Sequence, residues 1–211
     1  ENEYSDTREL LEPAAKIPGI YVPQFYHQIY QGDSMVQFKA EPESFERVER
    51  HWVKEGSPDL CTHSVLHDEV STFKDMSLME VTRGCIWACR FCTAGFIYRP
   101  PRLPDLDLTY RSLENVLAGQ GKSVSTVGLV GPSVTDHPDI LPLARKIVED
   151  GKKLSFSSLR METLTDELVD LIKKSGQKTL TVAVDGPSER MRRVINKQAT
   201  DDFIVEKCKF L

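Results

Sequence analysis

Three closely spaced cysteines are the residues of this sequence best suited to chemistry. Cys85, Cys89 and Cys92 form a C-x-x-x-C-x-x-C pattern directly after an apolar run, residues 76–81, that predicts a buried strand. Gly84 is expected to end this strand and begin a loop, on which three thiolates can turn toward one inorganic centre. Closed zinc sites and ordinary iron–sulfur clusters use four protein ligands. Three cysteines therefore predict a metal centre with one position open to a substrate or cofactor.

The residues around these cysteines resemble a known signature. Phe91 directly precedes the third cysteine, and the stretch GC-x-x-x-CRFC-x-AG-x-IYRP-x-R resembles the radical S-adenosylmethionine (SAM) superfamily. Within that superfamily it is most similar to a largely uncharacterised subgroup whose members often carry a cobalamin-binding-like domain before the radical domain. The resemblance covers residues 13–200 and is strongest over residues 80–102 and 154–197.

The resemblance implies a cofactor and a reaction. Cys85, Cys89 and Cys92 are expected to bind three irons of a 4Fe–4S cluster, and SAM is expected to bind the fourth iron. An electron from the cluster then cleaves SAM to methionine and a 5′-deoxyadenosyl radical, which acts on an unknown substrate. The expected partner is an electron donor such as flavodoxin or ferredoxin. Cobalamin, if the protein uses it, is expected to bind to a domain outside this chain.

The resemblance also suggests residues that contact SAM, because ligands of parallel α/β folds bind at the carboxyl ends of the strands. One departure from the family pattern is a Pro-Ser pair where a Gly-Glu type of ending is usual after the second strand. The implied cofactor-binding residues are Phe91, Gly131, Pro132, Ser133, Ser158, Arg160, Asp185 and Arg192.

Alternatives stay open for the charged residues in this set. Arg160 is suited to the SAM carboxylate, because a guanidinium fork matches that group, but an ion pair with Glu162 or Asp185 is an equal alternative. Asp185 is expected at the ribose hydroxyls. Arg192 is expected at the SAM carboxylate or as a nearby brace, and the alternative is a solvated basic helix face that binds nothing.

Other functions remain open beside the radical SAM interpretation. A zinc site is possible if Cys61, His63 or His67 supplies a fourth ligand, whereas Cys208 lies in a charged, helical-looking stretch and is expected to be a bystander. The main alternative class is therefore a non-catalytic iron–sulfur or zinc module for electron transfer or assembly. A third possibility is a tRNA-modifying enzyme, since related radical SAM families methylthiolate tRNA.

Composition narrows the class of protein. The 211 residues are 40% hydrophobic and 28% charged, as in a globular protein with one substantial core. The net charge of −5 does not indicate nucleic-acid binding, and no apolar run is long enough to span a membrane. The five cysteines are too sparse for a disulfide framework. An oxygen-sensitive cluster and free thiols together predict a cytoplasmic location.

Residues 1–75 are expected to form an N-terminal extension. A short helix over residues 7–16 is followed by two aromatic-rich runs on either side of Gln31-Gly32-Asp33, a pattern that predicts a β-hairpin. Apolar residues at helical spacing then predict a helix over residues 44–54.

Residues 76–211 are expected to form the radical SAM core. Four strands are predicted at residues 76–81, 126–130, 153–157 and 180–184, the first two as short apolar segments. Helices alternate with them, the first capped by Asp107 or Thr109, and this alternation predicts βαβ units and a parallel sheet. The fold class is therefore α/β, a partial TIM-type (βα) barrel of the radical SAM type. Only about four of the six units of that barrel fit.

The chain is expected to be a piece of a longer protein. It begins with Glu1 rather than Met, and two barrel units are expected to be missing after Leu211. The fourth strand would then be an open, apolar edge, which a folded enzyme normally covers.

Overall fold

A computed structural model describes residues 7–43, 47–54, 57, 60–65, 70, 72–118, 124–157 and 159–211. The chain divides into two compact units, Glu1–Trp52 and Val53–Leu211. In the described part of the chain, none of the helices has the length and apolar character needed to cross a membrane.

The first unit is built around a β-hairpin. After a 3-10 turn (Thr7–Leu10) and helix α1 (Leu11–Ala15), strands β1 (Tyr26–Gln31) and β2 (Ser34–Ala40) pair antiparallel. Gly32 lies in the turn with φ +59°, a conformation that glycine adopts without steric cost. The hairpin predicted around this glycine is therefore confirmed.

The helix predicted for residues 44–54 is wrong over its described part. Residues 47–54 contain neither helix nor strand, and residues 44–46 lie outside the described residues. Val48 and Trp52, which suggested a buried helical face, are 37% and 40% exposed. A short helix gains most of its stability from burying an apolar face, so helical spacing alone is not sufficient here.

The second unit contains a parallel sheet in the order β3-β4-β5. Its strands are β3 (Met76–Glu80), β4 (Thr126–Val130) and β5 (Lys153–Phe156), which confirms three of the predicted strands. The helices of this unit are α2 (Ala94–Ile97), α3 (Leu106–Leu117), α4 (Ile140–Glu149), α5 (Asp166–Lys174), α6 (Glu189–Val194) and α7 (Asp201–Phe210). Helices α3, α4 and α5 pack on the sheet, and the α/β class with parallel strands is confirmed.

The core lies between this sheet and helices α3, α4 and α5. Each helix contributes apolar side chains at helical spacing, and each strand contributes fully buried ones, as expected of a parallel sheet covered by helices. The central members of this core are Met79, Leu113, Val127, Leu129, Leu143, Ile147, Leu154, Leu168 and Ile172.

Helix α3 begins earlier than the sequence suggested. Its cap is Asp105, whose carboxylate accepts the backbone N–H groups of Asp107 over 3.0 Å and Leu108 over 3.2 Å. Asp107 lies in the first turn, where a negative charge complements the helix dipole, and the Thr109 hydroxyl donates to the Asp105 carbonyl. The predicted caps Asp107 and Thr109 are therefore wrong, since the cap lies two residues before Asp107 and four before Thr109.

The predicted fourth strand is also wrong. Residues 180–184 are described and contain no strand. Leu180 and Val182 pack against the core, and a cavity of about 290 Å³ is lined by both this segment and β5, but the segment does not pair with β5 in a ladder of hydrogen bonds. The sheet of the described residues thus has three strands, and the partial barrel and its number of units remain predictions.

The opposite edge of the sheet is covered by residues 62–64. Ser64 N–H donates to the Leu78 carbonyl and Glu80 N–H donates to the Thr62 carbonyl, each over 2.8 Å. His63, a candidate metal ligand, instead shares a hydrogen bond of 2.9 Å between its Nδ1 and the Ser112 hydroxyl. His67 lies outside the described residues.

His137 makes the stability of the second unit depend on pH. The residue is 4% exposed, and its Nδ1 accepts the Asp139 backbone N–H. Burial lowers the pKa of the imidazole, an effect that the Asp139 carboxylate partly offsets. Because the unfolded chain then binds a proton more readily than the folded chain, the unfolding free energy should fall as pH drops through the unfolded pKa of about 6.5.

Urea unfolding between about pH 7.5 and about pH 5.5 measures this effect. The chain should lose stability on acidification, and His137→Asn should lose less. His51→Gln, a change at an exposed histidine, serves as the matched control. An equal loss in the His137 variant and the wild type would contradict the assignment.

Candidate functional site

The cysteine loop, residues 82–93, leaves the carboxyl end of β3 and leads into α2. Gly84 sits at its start with φ +87°, and a Cβ atom there would lie 2.4 Å from the Tyr98 carbonyl oxygen. No other residue fits this position without moving the backbone. The loop therefore turns where the sequence predicted, at the strand end where ligands of parallel α/β folds bind.

The three cysteines of the loop are all free thiols. Cys89 is buried, at 8% exposure, while Cys85 and Cys92 are half-buried. The Trp87 backbone N–H points at Cys85 Sγ over 3.4 Å, and Cys92 N–H donates to the Cys89 carbonyl over 3.0 Å. An N–H group directed at sulfur stabilises a thiolate, the form that binds metal.

The donor chemistry of this loop fits an iron–sulfur cluster, because three unpaired thiols are the ligands such clusters use. Within the described part of the chain, however, no three His, Cys, Asp or Glu side chains lie close enough together to hold a metal ion. Convergence of the thiols thus remains a proposal. Two cysteines lie elsewhere: Cys61 Sγ contacts the Leu108 carbonyl, and Cys208 is exposed on α7.

Trp87 attaches the loop to the other strand ends. Its indole Nε1–H donates to Asp136 Oδ2 over 2.6 Å, just beyond β4. The guanidinium carbon of Arg160, just beyond β5, lies 3.9 Å from the centre of the indole ring. Sequence reasoning overlooked both contacts, because the partners are far apart along the chain.

The end of α6 supports the same loop from another direction. Arg90 donates its backbone N–H to the Ile195 carbonyl over 3.0 Å and a guanidinium N–H to the Val194 carbonyl. The Asn196 amide donates to the Ala88 carbonyl over 2.9 Å. Helix-end carbonyls and an amide thus hold the loop backbone between its first two cysteines and just after the second.

Arg102, downstream of the loop, is a structural residue. It is 3% exposed and donates to three backbone carbonyls, those of Val53, Tyr98 and Pro100, over 2.6, 3.2 and 3.0 Å. Burying a guanidinium is costly unless its donors are paired, and here the carbonyls pair them. The side chain therefore fixes the segment that follows α2.

The residues after β4 that resemblance placed at SAM already bond within the protein. The Gly131 carbonyl accepts from the Ser157 hydroxyl over 3.2 Å. Ser133 is buried and donates its hydroxyl to Asp136, and Pro132, the residue before it, is half-buried. Close by, the buried Thr82 hydroxyl has no hydrogen-bond partner.

Arg160 combines an ion pair with an aromatic contact. Its Nη2 donates to Glu162 Oε1 over 2.8 Å, so of the two alternative carboxylates it is Glu162 that pairs with it. Its Nε is buried without a partner. The side chain is 12% exposed.

The other residues predicted to contact SAM do not lie together. Asp185 has φ +61° and forms an ion pair with Lys197. Arg192 is 2% exposed and donates to Gly186 O over 3.1 Å, Ala199 O over 2.7 Å and the Asp201 carboxylate, which are the contacts of a brace. Phe91 is 56% exposed, and Ser158 lies outside the described residues.

A cavity of about 620 Å³ lies beside the cysteine loop. This volume is within the usual range for small-molecule sites. The walls combine two aromatic rings and small apolar groups with neutral hydrogen-bonding side chains and the Arg160–Glu162 ion pair. Of the predicted SAM contacts, Arg160 lines it, whereas Ser133, Asp185 and Arg192 do not. The lining residues are Ile86, Trp87, Ala88, Arg160, Glu162, Asn196, Gln198, Ala199, Thr200 and Phe203.

Comparisons with known proteins identify the family of this chain. The chain is 43% identical over 121 residues to the uncharacterized protein MJ0966 of Methanocaldococcus jannaschii, a match that covers 57% of the chain and 26% of the relative. The chain thus spans about a quarter of that relative's length. The family model of the radical SAM superfamily matches residues 79–211, which include all three loop cysteines and most of the second unit. The chain belongs to the radical SAM superfamily.

Proposed function

We propose that this chain is the core of a radical SAM enzyme, in which Cys85, Cys89 and Cys92 bind a 4Fe–4S cluster and the neighbouring cavity binds SAM. The observation that carries the proposal is that three free thiols, spaced as in the family, share one loop with the wall of a ligand-sized cavity. The chemistry supplied by the bound cofactors is a one-electron cleavage of SAM to methionine and a 5′-deoxyadenosyl radical.

The cysteine loop presents thiolates and keeps one cluster position without a protein ligand. Cys89 is the most buried of the three, and the Trp87 N–H stabilises negative charge on Cys85. Cys61 contacts the Leu108 carbonyl and Cys208 lies on α7, so neither is proposed as a fourth ligand.

The cavity suits a ligand with both charged and flat apolar parts. Its aromatic and aliphatic walls provide apolar surface beside the Arg160–Glu162 ion pair. Arg160 is proposed to bind the SAM carboxylate through its guanidinium fork. Its stacking on Trp87 and pairing with Glu162 hold the fork in one place before the ligand arrives.

Two further contacts are proposed from the family resemblance. Asp185 is assigned to the ribose hydroxyls, and Lys197, which engages its Oδ2, orients the carboxylate. The Gly131–Ser133 turn is assigned to the SAM amino group. Arg192 is assigned the role of a brace, because its guanidinium bonds to residues on both sides of α6.

The whole protein's substrate and partners also belong to the proposal, since the chain spans about a quarter of the relative it matches. A single-electron donor such as flavodoxin or ferredoxin is proposed to reduce the cluster. Cobalamin, if used, is proposed to bind outside residues 1–211.

Binding of SAM to the loaded chain tests the proposal against the non-catalytic module. After anaerobic reconstitution with iron and sulfide, SAM should change the electron paramagnetic resonance spectrum, because one iron has no protein ligand. With dithionite, the protein should also slowly release 5′-deoxyadenosine. A fully loaded cluster whose spectrum ignores SAM would favour an electron-transfer or assembly module instead.

A further inference from the structure

Trp87 links the cysteine loop to two other functional segments. Its side chain donates to Asp136 Oδ2 over 2.6 Å and lies 3.9 Å beneath the guanidinium of Arg160, while its backbone N–H points at Cys85 Sγ. One residue thus contacts a proposed metal ligand, a proposed SAM contact and the turn after β4. Its ring also forms part of the cavity wall.

Asp136 is the anchor of this arrangement. It ends the 3-10 turn Val134–Asp136, and its Oδ2 accepts both the Trp87 indole N–H and the hydroxyl of buried Ser133. Hydrogen bonds to a carboxylate are stronger than those between neutral groups. Asp136 follows β4, the middle strand, which is hydrogen-bonded to a strand on each side. The anchor therefore holds the loop against the best-supported strand of the sheet.

We propose that Trp87 and Asp136 act together as positioning residues. They fix the cysteine loop to the segment after β4, so that the thiols and the Arg160 guanidinium keep their positions relative to one another. The identity of the ligands that they serve, a cluster and SAM, rests on the proposed function. The hydrogen bond itself does not, so it can be tested on the cluster-free chain.

Maleimide labelling of Cys89, followed by mass spectrometry, measures how often the loop opens. Cys89 is buried, so labelling requires local opening, and loss of a hydrogen bond to a charged group should raise the opening constant roughly ten- to a hundred-fold. Asp136→Leu and Trp87→Phe should both show this increase. Asp136→Asn, which keeps an acceptor oxygen, should restore part of the protection.

Two controls separate positioning from general destabilisation. Ile147→Val removes a methylene from the core away from the loop and should raise Cys89 labelling far less. Asp139→Asn changes a neighbouring carboxylate that does not contact Trp87 and should have no effect. Circular dichroism checks that each variant is folded, and if Asp136→Leu fails to fold, Trp87→Phe and Asp136→Asn still decide the outcome.

Spectroscopy gives a second readout. The chain has two tryptophans, so in a Trp52→Phe background the fluorescence reports on Trp87 alone. Asp136→Leu should shift this emission, and in the loaded protein it should shift the reduced cluster's paramagnetic resonance lines, whereas Asp139→Asn should change neither. Unchanged Cys89 labelling and emission in folded Asp136→Leu and Trp87→Phe would overturn the positioning role. Increased labelling in a chain that takes up no cluster would refute the proposed function and leave the positioning role standing.

Discussion

Replacing any one of Cys85, Cys89 and Cys92 with alanine should abolish the iron–sulfur absorbance of the anaerobically reconstituted chain, which should otherwise contain about four irons. The effect is expected to be close to all-or-none. All three thiolates are needed to hold a cubane cluster that leaves one iron for SAM. The other two cysteines lie outside the loop and are not expected to replace a lost ligand.

The matched controls are the two cysteines outside the loop. Cys61→Ala and Cys208→Ala should keep full iron content and absorbance, because Cys61 contacts the Leu108 carbonyl and Cys208 is exposed on α7. Iron and sulfide analysis alongside visible spectra measures the result. Tight binding of one zinc ion with no cluster would contradict the assignment and support the zinc module.

The sequence predicted the parallel sheet well because its signals are local. β3 and β4 are mostly apolar, β5 alternates polar and apolar residues, and the side chains that face helices α3, α4 and α5 are the buried ones. Helix α5 was equally clear, since Thr165 caps it and basic residues fill its last turn. These features depend on neighbours in the sequence, so one sequence is enough to predict them.

Elements that depend on distant partners were harder to predict. Residues 180–184 have the apolar alternation of a strand, yet a ladder also requires the backbone of β5 within hydrogen-bonding distance. Residues 47–54 have helical spacing, but Val48 and Trp52 are 37% and 40% exposed. In the first segment the side chains reach the core without backbone pairing, and in the second the apolar side chains are not buried.

The candidate site divides in the same way. The loop cysteines are predicted from their spacing and from resemblance, both local signals, whereas Trp87 gains its role from Asp136, 49 positions later, and from Arg160. Arg192 looked like a ligand contact in a basic stretch, but its contacts are the carbonyls on either side of α6 and Asp201. A guanidinium's partners cannot be read from sequence when every nearby carbonyl competes for it.

Arg160→Ala and Asp185→Ala should each weaken SAM binding while leaving iron content unchanged. Each variant removes a proposed hydrogen bond in which at least one partner is charged, and such a bond contributes roughly 1.5–3 kcal/mol. The dissociation constant should therefore rise about ten- to a hundred-fold. Titration of SAM into the reduced, loaded protein, followed by paramagnetic resonance, measures the change.

Arg160→Lys separates charge from geometry. Lysine keeps the positive charge but loses the planar fork and the stacking on Trp87, so it should recover only part of the lost affinity. Arg145→Ala removes an exposed arginine that pairs with Glu167 and should bind SAM normally. If Arg160→Ala binds SAM as tightly as the wild type on an intact cluster, the guanidinium serves only its ion pair with Glu162, and the cavity beside the cysteine loop is not where the SAM carboxylate binds.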